Sequence, residues 1–327
     1  MKPPEFWWTE RGAGFGTLLE PVAAAYRLVA GRRFASVRPQ KIDIPVICIG
    51  NLVVGGAGKT PVAMSIAARL REKGLATHFL SRGYGGRLPG PVRVDPKVHV
   101  AADVGDEPLL LADQSPCWVA RDRVAGCRAA VGDGADVIVM DDGFQNPTVA
   151  KDVSFVVVDA RRGFGNGRTL PAGPLREPIV AGLSRADAVV LLGEGEREVA
   201  QLADLKILLL RARAKPLDAG AVWATQPLLA FAGIADPQKF FRTLEGMGCR
   251  VGQTQSFPDH HSYSTIEIEA ILANAESGGM VPVTTAKDAV RISPEYRSRV
   301  RVLTVDVEWE QLDMLDQLLA KSVRRGN

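Results

Sequence analysis

"VICIGNLVVGGAGKTPVAMSIAARL", residues 46–70, decides the fold. An apolar run ends at Gly50, glycines follow, and beyond Lys59 the apolar residues fall at helical spacing. A buried strand, a glycine-rich turn and a helix start make a phosphate loop, because successive backbone N–H groups then point into one concave turn. The expected nucleotide-phosphate stretch is Val53, Val54, Gly55, Gly56, Ala57, Gly58, Lys59 and Thr60. Lys59 is placed to reach the β- and γ-phosphates and Thr60 to ligate Mg²⁺. The usual pattern has Gly where this chain has Val53, a lack partly offset by Gly50 and the Gly55-Gly56 pair. Pro61 falls in the first helical turn, where its missing N–H costs little.

Such a loop needs a carboxylate at the end of a neighbouring strand. "VIVMDDGFQ" supplies Asp141 and Asp142 after four apolar residues, although a carboxylate pair there also reads as turn or N-cap residues. A dinucleotide fold is disfavoured, since "GYGG" at 83–86 has Leu88 where a third Gly would fall. A guanine switch is disfavoured too, because "TTAKD" at 284–288 sets Lys directly beside Asp.

Beyond the loop, short apolar runs alternate with helix-like segments, which argues for α/β architecture with a parallel sheet covered on both faces. The expected units are a P-loop core over 41–215 and a smaller α/β unit over 225–327, joined through the polar stretch "RARAKPLDAGAVWATQ". "RVRVLTVDVE" reads as a strand, and "WEQLDMLDQLLAKSV" as a last amphipathic helix that closes the chain, within the span given to the second unit. Hydrophobic residues at 46% and charged residues at 24% suit a soluble globular chain. Four cysteines without C-x-x-C pairing fit a reducing cytoplasm better than a disulfide framework or zinc site.

Residues 1–40 form a segment of their own. They hold six Lys/Arg against three Glu, leaving 34 of each sign in the rest of the chain. No uninterrupted apolar h-region follows Lys2, and Glu20 and Arg27 break the longest apolar run, so neither a signal peptide nor a membrane span is expected. A helix from Pro21 gathers Val22, Tyr26 and Val29 on one face, puts Arg27 elsewhere and clusters Arg32 and Arg33 at its end. It reads either as a helix packed on the protein with a solvated basic end, or as an interfacial helix on an anionic membrane with Phe6, Trp7 and Trp8 as anchors. Basic residues do not recur with interleaved aromatics, so no nucleic-acid partner is expected.

A kinase further needs a group to orient or deprotonate an acceptor hydroxyl. "VGDEPLLLA" offers Asp106 and Glu107 at a loop-to-helix boundary, where Asp106 also reads as an N-cap. "FPDHHSYS" offers His260 and His261, which also read as a solvated turn.

"GNLVVGGAGKTP", "SRGYGG", "GDEPLLLA", "DDGFQ", "GFGNGRTLPAGPLREP" and "FPDHH" occur in this order over residues 50–261. Together they resemble the tetraacyldisaccharide 4′-kinases, the lipid A kinases of Gram-negative bacteria, and "TTAKDAV" and the N-terminal segment extend the likeness over nearly the whole chain. The resemblance implies two α/β/α domains with the site in the cleft between them. It implies transfer of phosphate from ATP, with Mg²⁺, to the 4′-hydroxyl of an acylated glucosamine disaccharide 1-phosphate. That family's loop reads G-N-x-x-x-G-G-x-G-K-T, so Val53 is in pattern. Catalytic roles then fall to Lys59, Asp106, Asp142 and His260, and metal contacts to Thr60, Asp141 and Glu107. Arg82, Tyr84, Arg121, Gln145, Arg176 and Glu177 match positions near the cleft, as substrate contacts.

Asn146 and Lys151 depart from the family's "DDGLQHYRLxRD", where His and Arg stand. The lipid acceptor also favours the interfacial reading of the N-terminal helix, at the cytoplasmic face of the inner membrane, and no protein partner is implied. The alternative function is a membrane-associated P-loop ATPase switch with only water as acceptor.

Overall fold

The computed structural model describes residues 4–8, 13–195, 202, 206–217, 223 and 225–326. Lys2, Glu10, Arg11 and the Arg33 side chain, counted in the basic segment, lie outside the described residues, as do 218–222 and 224 of the expected junction.

Among the described residues there are thirteen strands. They are β1 Val46–Gly50, β2 Thr77–Ser81, β3 Val92–Arg93, β4 Cys117–Val119, β5 Val137–Asp141, β6 Val153–Asp159, β7 Ala188–Leu192, β8 Leu208–Pro216, β9 Leu228–Ala232, β10 Val251–Ser256, β11 Val281–Thr285, β12 Arg301–Leu303 and β13 Val305–Trp309. Nine form one sheet in the order β13-β8-β7-β6-β1-β5-β2-β4-β3, and four form another in the order β10-β9-β11-β12. The small sheet is parallel throughout, and the large one is parallel apart from its two edge pairs, β13 with β8 and β3 with β4.

Alternation along β1 shows why the large sheet is covered on both sides. Ile47 and Ile49 join a core with Val62, Ile66 and Leu70 of the helix Lys59–Glu72. Val46 and Cys48 join the opposite core with Val124, Cys127 and Ala130 of the helix Arg123–Gly132. The small sheet repeats the pattern, with Phe240, Phe241 and Leu244 on one face and Ile268, Ile271 and Leu272 on the other.

Three expectations are corrected. "RVRVLTVDVE" is two strands in different sheets, because the chain leaves the small sheet after β12 and crosses to the large one as β13. The last helix, Leu312–Gly326, therefore does not close the 225–327 unit. It returns to the large sheet, where Leu315 and Leu319 enter the core and Arg69 bonds Asp316 at 2.6 Å. "RARAKP", placed in the junction, belongs to β8. Its alternation buries Leu210 and Ala212 while Arg213 and Lys215 pair with Glu308 of β13.

The N-terminal helix runs Glu20–Ala35 with Pro21 in its first turn. Ala23 is buried, and Arg27 reaches Glu20 and the Thr169 hydroxyl, so the inward side is small and polar. Val22, Tyr26, Leu28 and Val29, the last 69% exposed, face away from the protein. Trp7 is not an exposed anchor. It is buried, and its indole N–H donates to the Pro171 carbonyl.

Leu315→Ala should lower the unfolding free energy by about 2–5 kcal/mol, measured by urea denaturation. An unchanged midpoint would place Leu315 outside the core.

Candidate active site

The strand-to-helix turn after β1 divides into two parts. Val53 bridges Leu175 in antiparallel fashion, the Val54 N–H donates to the Pro174 carbonyl at 2.9 Å, and the Arg176 N–H donates to the Leu52 carbonyl at 2.7 Å. Residues 52–54 are therefore an extended brace, and the Val54 N–H is spent before any phosphate arrives. Of the expected stretch 53–60, Val53 and Val54 are thus tied to the backbone of 174–175, and the glycines of the turn begin at Gly55. Gly58 has φ 82°, a turn conformation that favours glycine, and a Cβ there would also displace the end of the Leu192 side chain of β7.

Lys59 opens the helix and lies 3.6 Å from Asp142. Burial lowers its pKa against the pull of Asp142. The Thr60 hydroxyl donates to Asp141 Oδ2 at 2.9 Å. Burial pushes the Asp141 carboxyl up to about 6, with Lys59 opposing. Its other oxygen, Oδ1, is buried without a hydrogen-bond partner. A buried carboxylate oxygen left unpaired beside a threonine hydroxyl is the donor set a hard cation takes, so Asp141 and Thr60 fit Mg²⁺.

Asp142 sits at φ 54° and His260 at φ 58°, and these are the two non-glycine residues with left-handed φ among the described residues. Such conformations persist where surrounding contacts impose them, and they concentrate at functional sites. Asp142 is held by Lys59 and by Arg176 at 3.2 Å. Arg176 also donates to Gln145 Oε1 at 3.1 Å. The Gln145 amide donates to the Asn51 carbonyl at 2.8 Å and to Glu177 at 3.2 Å. Gln145, Arg176 and Glu177 thus form a network bracing the turn.

Across from this turn, Gly105 takes φ 90° and starts the helix Asp106–Ala112. The His260 ring Nδ1 lies 2.7 Å from Asp106 Oδ2, joining the large sheet's helices to a loop of the small sheet. Burial disfavours the Asp106 charge, but hydrogen bonds from His260 and Arg291 outweigh it and hold the pKa down to about 2. The bond to Asp106 raises the His260 pKa in return. His261 goes elsewhere, stacking on Phe257 and meeting Glu267 at 3.1 Å, so His260 is the partner. Glu107 is engaged by Lys287. The Tyr84 ring, 70% exposed, lies 6.0 Å from that of His260. Arg82 and Arg121 are exposed on the adjoining loops.

The family model for "Tetraacyldisaccharide-1-P 4'-kinase" matches residues 15–324. The tetraacyldisaccharide 4'-kinase of Rhodospirillum centenum is 53% identical over 98% of this chain and 96% of its own. That of Paramagnetospirillum magneticum is 48% identical over 97% and 98%. This chain belongs to that family. The crystal structure of LpxK from Aquifex aeolicus in complex with ATP aligns with a TM-score of 0.77 at 26% identity, covering 94% of this chain and 99% of that one. The tetraacyldisaccharide 4'-kinase fold thus accounts for both sheets.

Sequence reading missed the second charged layer. Arg291 and Asp288 are buried behind Asp106. "TTAKD" signalled the Asp, but Arg291 follows without any pattern of its own. Arg123 is buried as well, with its guanidinium on the Ala120 carbonyl, and burial lowers its pKa to about 10.

Because the folded pKa of Asp141 exceeds its unfolded value of about 3.9, the fold binds the proton more tightly between roughly pH 4 and 6, and stability falls as pH rises through that window. Asp141→Asn should therefore stabilise the Mg²⁺-free protein near pH 8 by roughly 1–3 kcal/mol and leave it unchanged near pH 4. Urea unfolding at both pH values checks this, and equal effects at the two would refute it.

Proposed function

We propose that this chain transfers the γ-phosphoryl group of ATP to the 4′-hydroxyl of tetraacyldisaccharide 1-phosphate, giving lipid IVA. The observation that carries the reading is the meeting of two half-sites. Lys59, Thr60 and Asp141 make a nucleotide-side half, and the Asp106–His260 pair makes an acceptor-side half. The charges of Glu107 and Lys287, beside that pair, act on Asp141.

The turn from Gly55 to Thr60 offers backbone N–H groups to the phosphates, and Lys59 neutralises charge on the transferred group. Thr60 and Asp141 would hold Mg²⁺, with Glu107, here paired with Lys287, as a further candidate ligand, and a cation held there would supply charge neutralisation to the phosphates. Asp142, fixed by Arg176, orients Lys59. Asp106 accepts the proton of the acceptor hydroxyl while that oxygen bonds phosphorus and the bond to ADP breaks. His260 holds Asp106 in place. Tyr84, Arg82 and Arg121 lie on the acceptor side and contact the glycolipid.

We assign residues 1–40 to membrane contact, 41–215 to the nucleotide half and 225–304 to the acceptor half, with 305–326 returning to the first. No helix among the described residues is long and apolar enough to cross a membrane. The outward Phe15, Leu18, Val22, Leu28 and Val29 suit a helix lying in the headgroup layer of the inner membrane's cytoplasmic face, with Arg32 toward anionic lipid.

Labelled γ-phosphate should pass from ATP to the lipid only when lipid and Mg²⁺ are both present. Lys59→Ala should lower kcat by roughly 10²–10³-fold, and Asp106→Asn by on the order of 10²–10⁴-fold. Phosphate release indifferent to lipid would instead indicate a hydrolytic switch. Replacing Leu18 and Val29 by Glu should weaken cosedimentation with phosphatidylglycerol vesicles by roughly tenfold or more. Undiminished binding would remove the helix from the membrane contact.

A further inference from the structure

The segment 284–291, "TTAKDAVR", starts at the end of the small sheet's β11 yet grips adjacent residues of the helix Asp106–Ala112, which packs on β2 and β4 of the large sheet. Lys287 takes Glu107, and Arg291 Nη2 donates to Asp106 Oδ2 at 2.5 Å. The Arg291 side chain is only 2% exposed, which is unusual for a guanidinium and demands anchoring. Two anchors are present. Arg291 Nη1 donates to the Gly233 carbonyl at 2.8 Å and to Asp288 Oδ1 at 3.1 Å. Asp288 is itself fixed, accepting from the Gly233 N–H at 2.8 Å, the Tyr263 hydroxyl at 2.9 Å and the Thr285 hydroxyl at 2.6 Å.

The Gly233 carbonyl also accepts the backbone N–H of His260 at 3.0 Å. Both groups that hold Asp106 therefore hang from one carbonyl at the end of β9. Both also land on the same carboxylate oxygen, Oδ2, and neither contact uses Oδ1. A carboxylate gripped on one oxygen by two rigid donors has its rotamer set and its second oxygen directed.

We propose that Arg291 is a positioning residue for phosphoryl transfer: anchored by Asp288 and the Gly233 carbonyl, it holds Asp106 by Oδ2 together with His260 and turns Oδ1 toward the acceptor hydroxyl. This rests on the reading of Asp106 as the group that takes the acceptor proton. A planar fork satisfies Asp106, Asp288 and Gly233 at once, and a lysine ammonium cannot span the three at those distances. Arg291 touches neither phosphate nor sugar, so its loss acts on orientation rather than on ATP affinity.

The test uses the full chain with Arg291→Gln and Arg291→Lys, assayed for ATP-to-lipid transfer alongside fluorescent-nucleotide binding. Arg291→Gln should lower kcat on the order of 10²-fold, the scale of a small misplacement of a reacting group, while the KM and affinity for ATP change less than about threefold. Millimolar guanidinium should recover about tenfold of that loss and leave wild-type enzyme unaffected. A kcat within about threefold of wild type would overturn the proposal, as would a loss shared equally by ATP affinity and insensitive to guanidinium. Should Arg291→Gln fail to fold, Arg291→Lys decides: retained ATP affinity with a kcat lowered about tenfold supports positioning, and an unchanged kcat overturns it. Failure of the parent reading is seen separately, as near-normal transfer by Asp106→Asn or as lipid-independent turnover by wild type.

Discussion

The hydrogen bond from Thr60 to Asp141 joins residues 81 positions apart, and it exists because β1 and β5 are parallel neighbours with Ile49 opposite Asp141. Parallel pairing sends the carboxyl ends of the seven inner strands to the same edge, so the phosphate turn after β1 and the carboxylate ending β5 emerge side by side. β2 and β4 extend that edge toward Tyr84 and Arg121. The small sheet obeys the same constraint, since Gly233 follows β9, "FPDHH" follows β10 and "AKDAVR" follows β11. The site is where two carboxyl edges face one another, the place where open α/β sheets bind ligands.

Two carboxylates near this meeting point are driven in opposite directions. Asp106 is gripped on one oxygen by His260 and Arg291, and this pair of charged bonds offsets its burial and keeps it ionised far below neutrality. Asp141 has one hydroxyl and a distant lysine, so burial dominates and its second oxygen stays unpaired. Environments that split two like groups in this way mark different tasks. The first has its countercharges within the fold, and the second keeps one oxygen without a partner. A strongly ionised Asp106 is a weak base, and in the role proposed for it that suits a loose phosphoryl-transfer transition state in which the acceptor's proton need not leave early.

The elements legible in sequence are those whose signal is local. The apolar runs of β1, β5, β6 and β7, the glycines of the turn and the helix from Lys59 all follow from composition within a few residues. β10 carried little signal because it is a mostly exposed edge strand, "VGQTQS". The crossing from β12 to β13 was hidden for another reason: one continuous β-favouring stretch fits one strand or two, and only partner strands far away in sequence decide. The Asp106–His260 contact was legible as a pair of motifs but not as a distance. Arg291 was invisible, because an arginine in a polar stretch looks solvated until a buried Asp288 is placed beside it.

Val53, the apparent fault in the phosphate loop, follows from the same kind of distant partner. A glycine there would loosen a backbone that must lie extended, whereas a valine stiffens it and buries its side chain in the core beside Leu52 and Leu175. The paired segment, 163–178, does more than brace the turn. Thr169 bridges Leu175, and the Thr169 hydroxyl takes Arg27 of the N-terminal helix, while Arg168 reaches Glu20 at 3.3 Å. One loop thus ties the helix that turns apolar residues outward to the strand that ends in the phosphate turn. A glycine at 53 would serve a loop that only wraps a nucleotide. The valine serves one whose position is also fixed from the helix Glu20–Ala35, through a continuous chain of backbone pairs and ionic contacts.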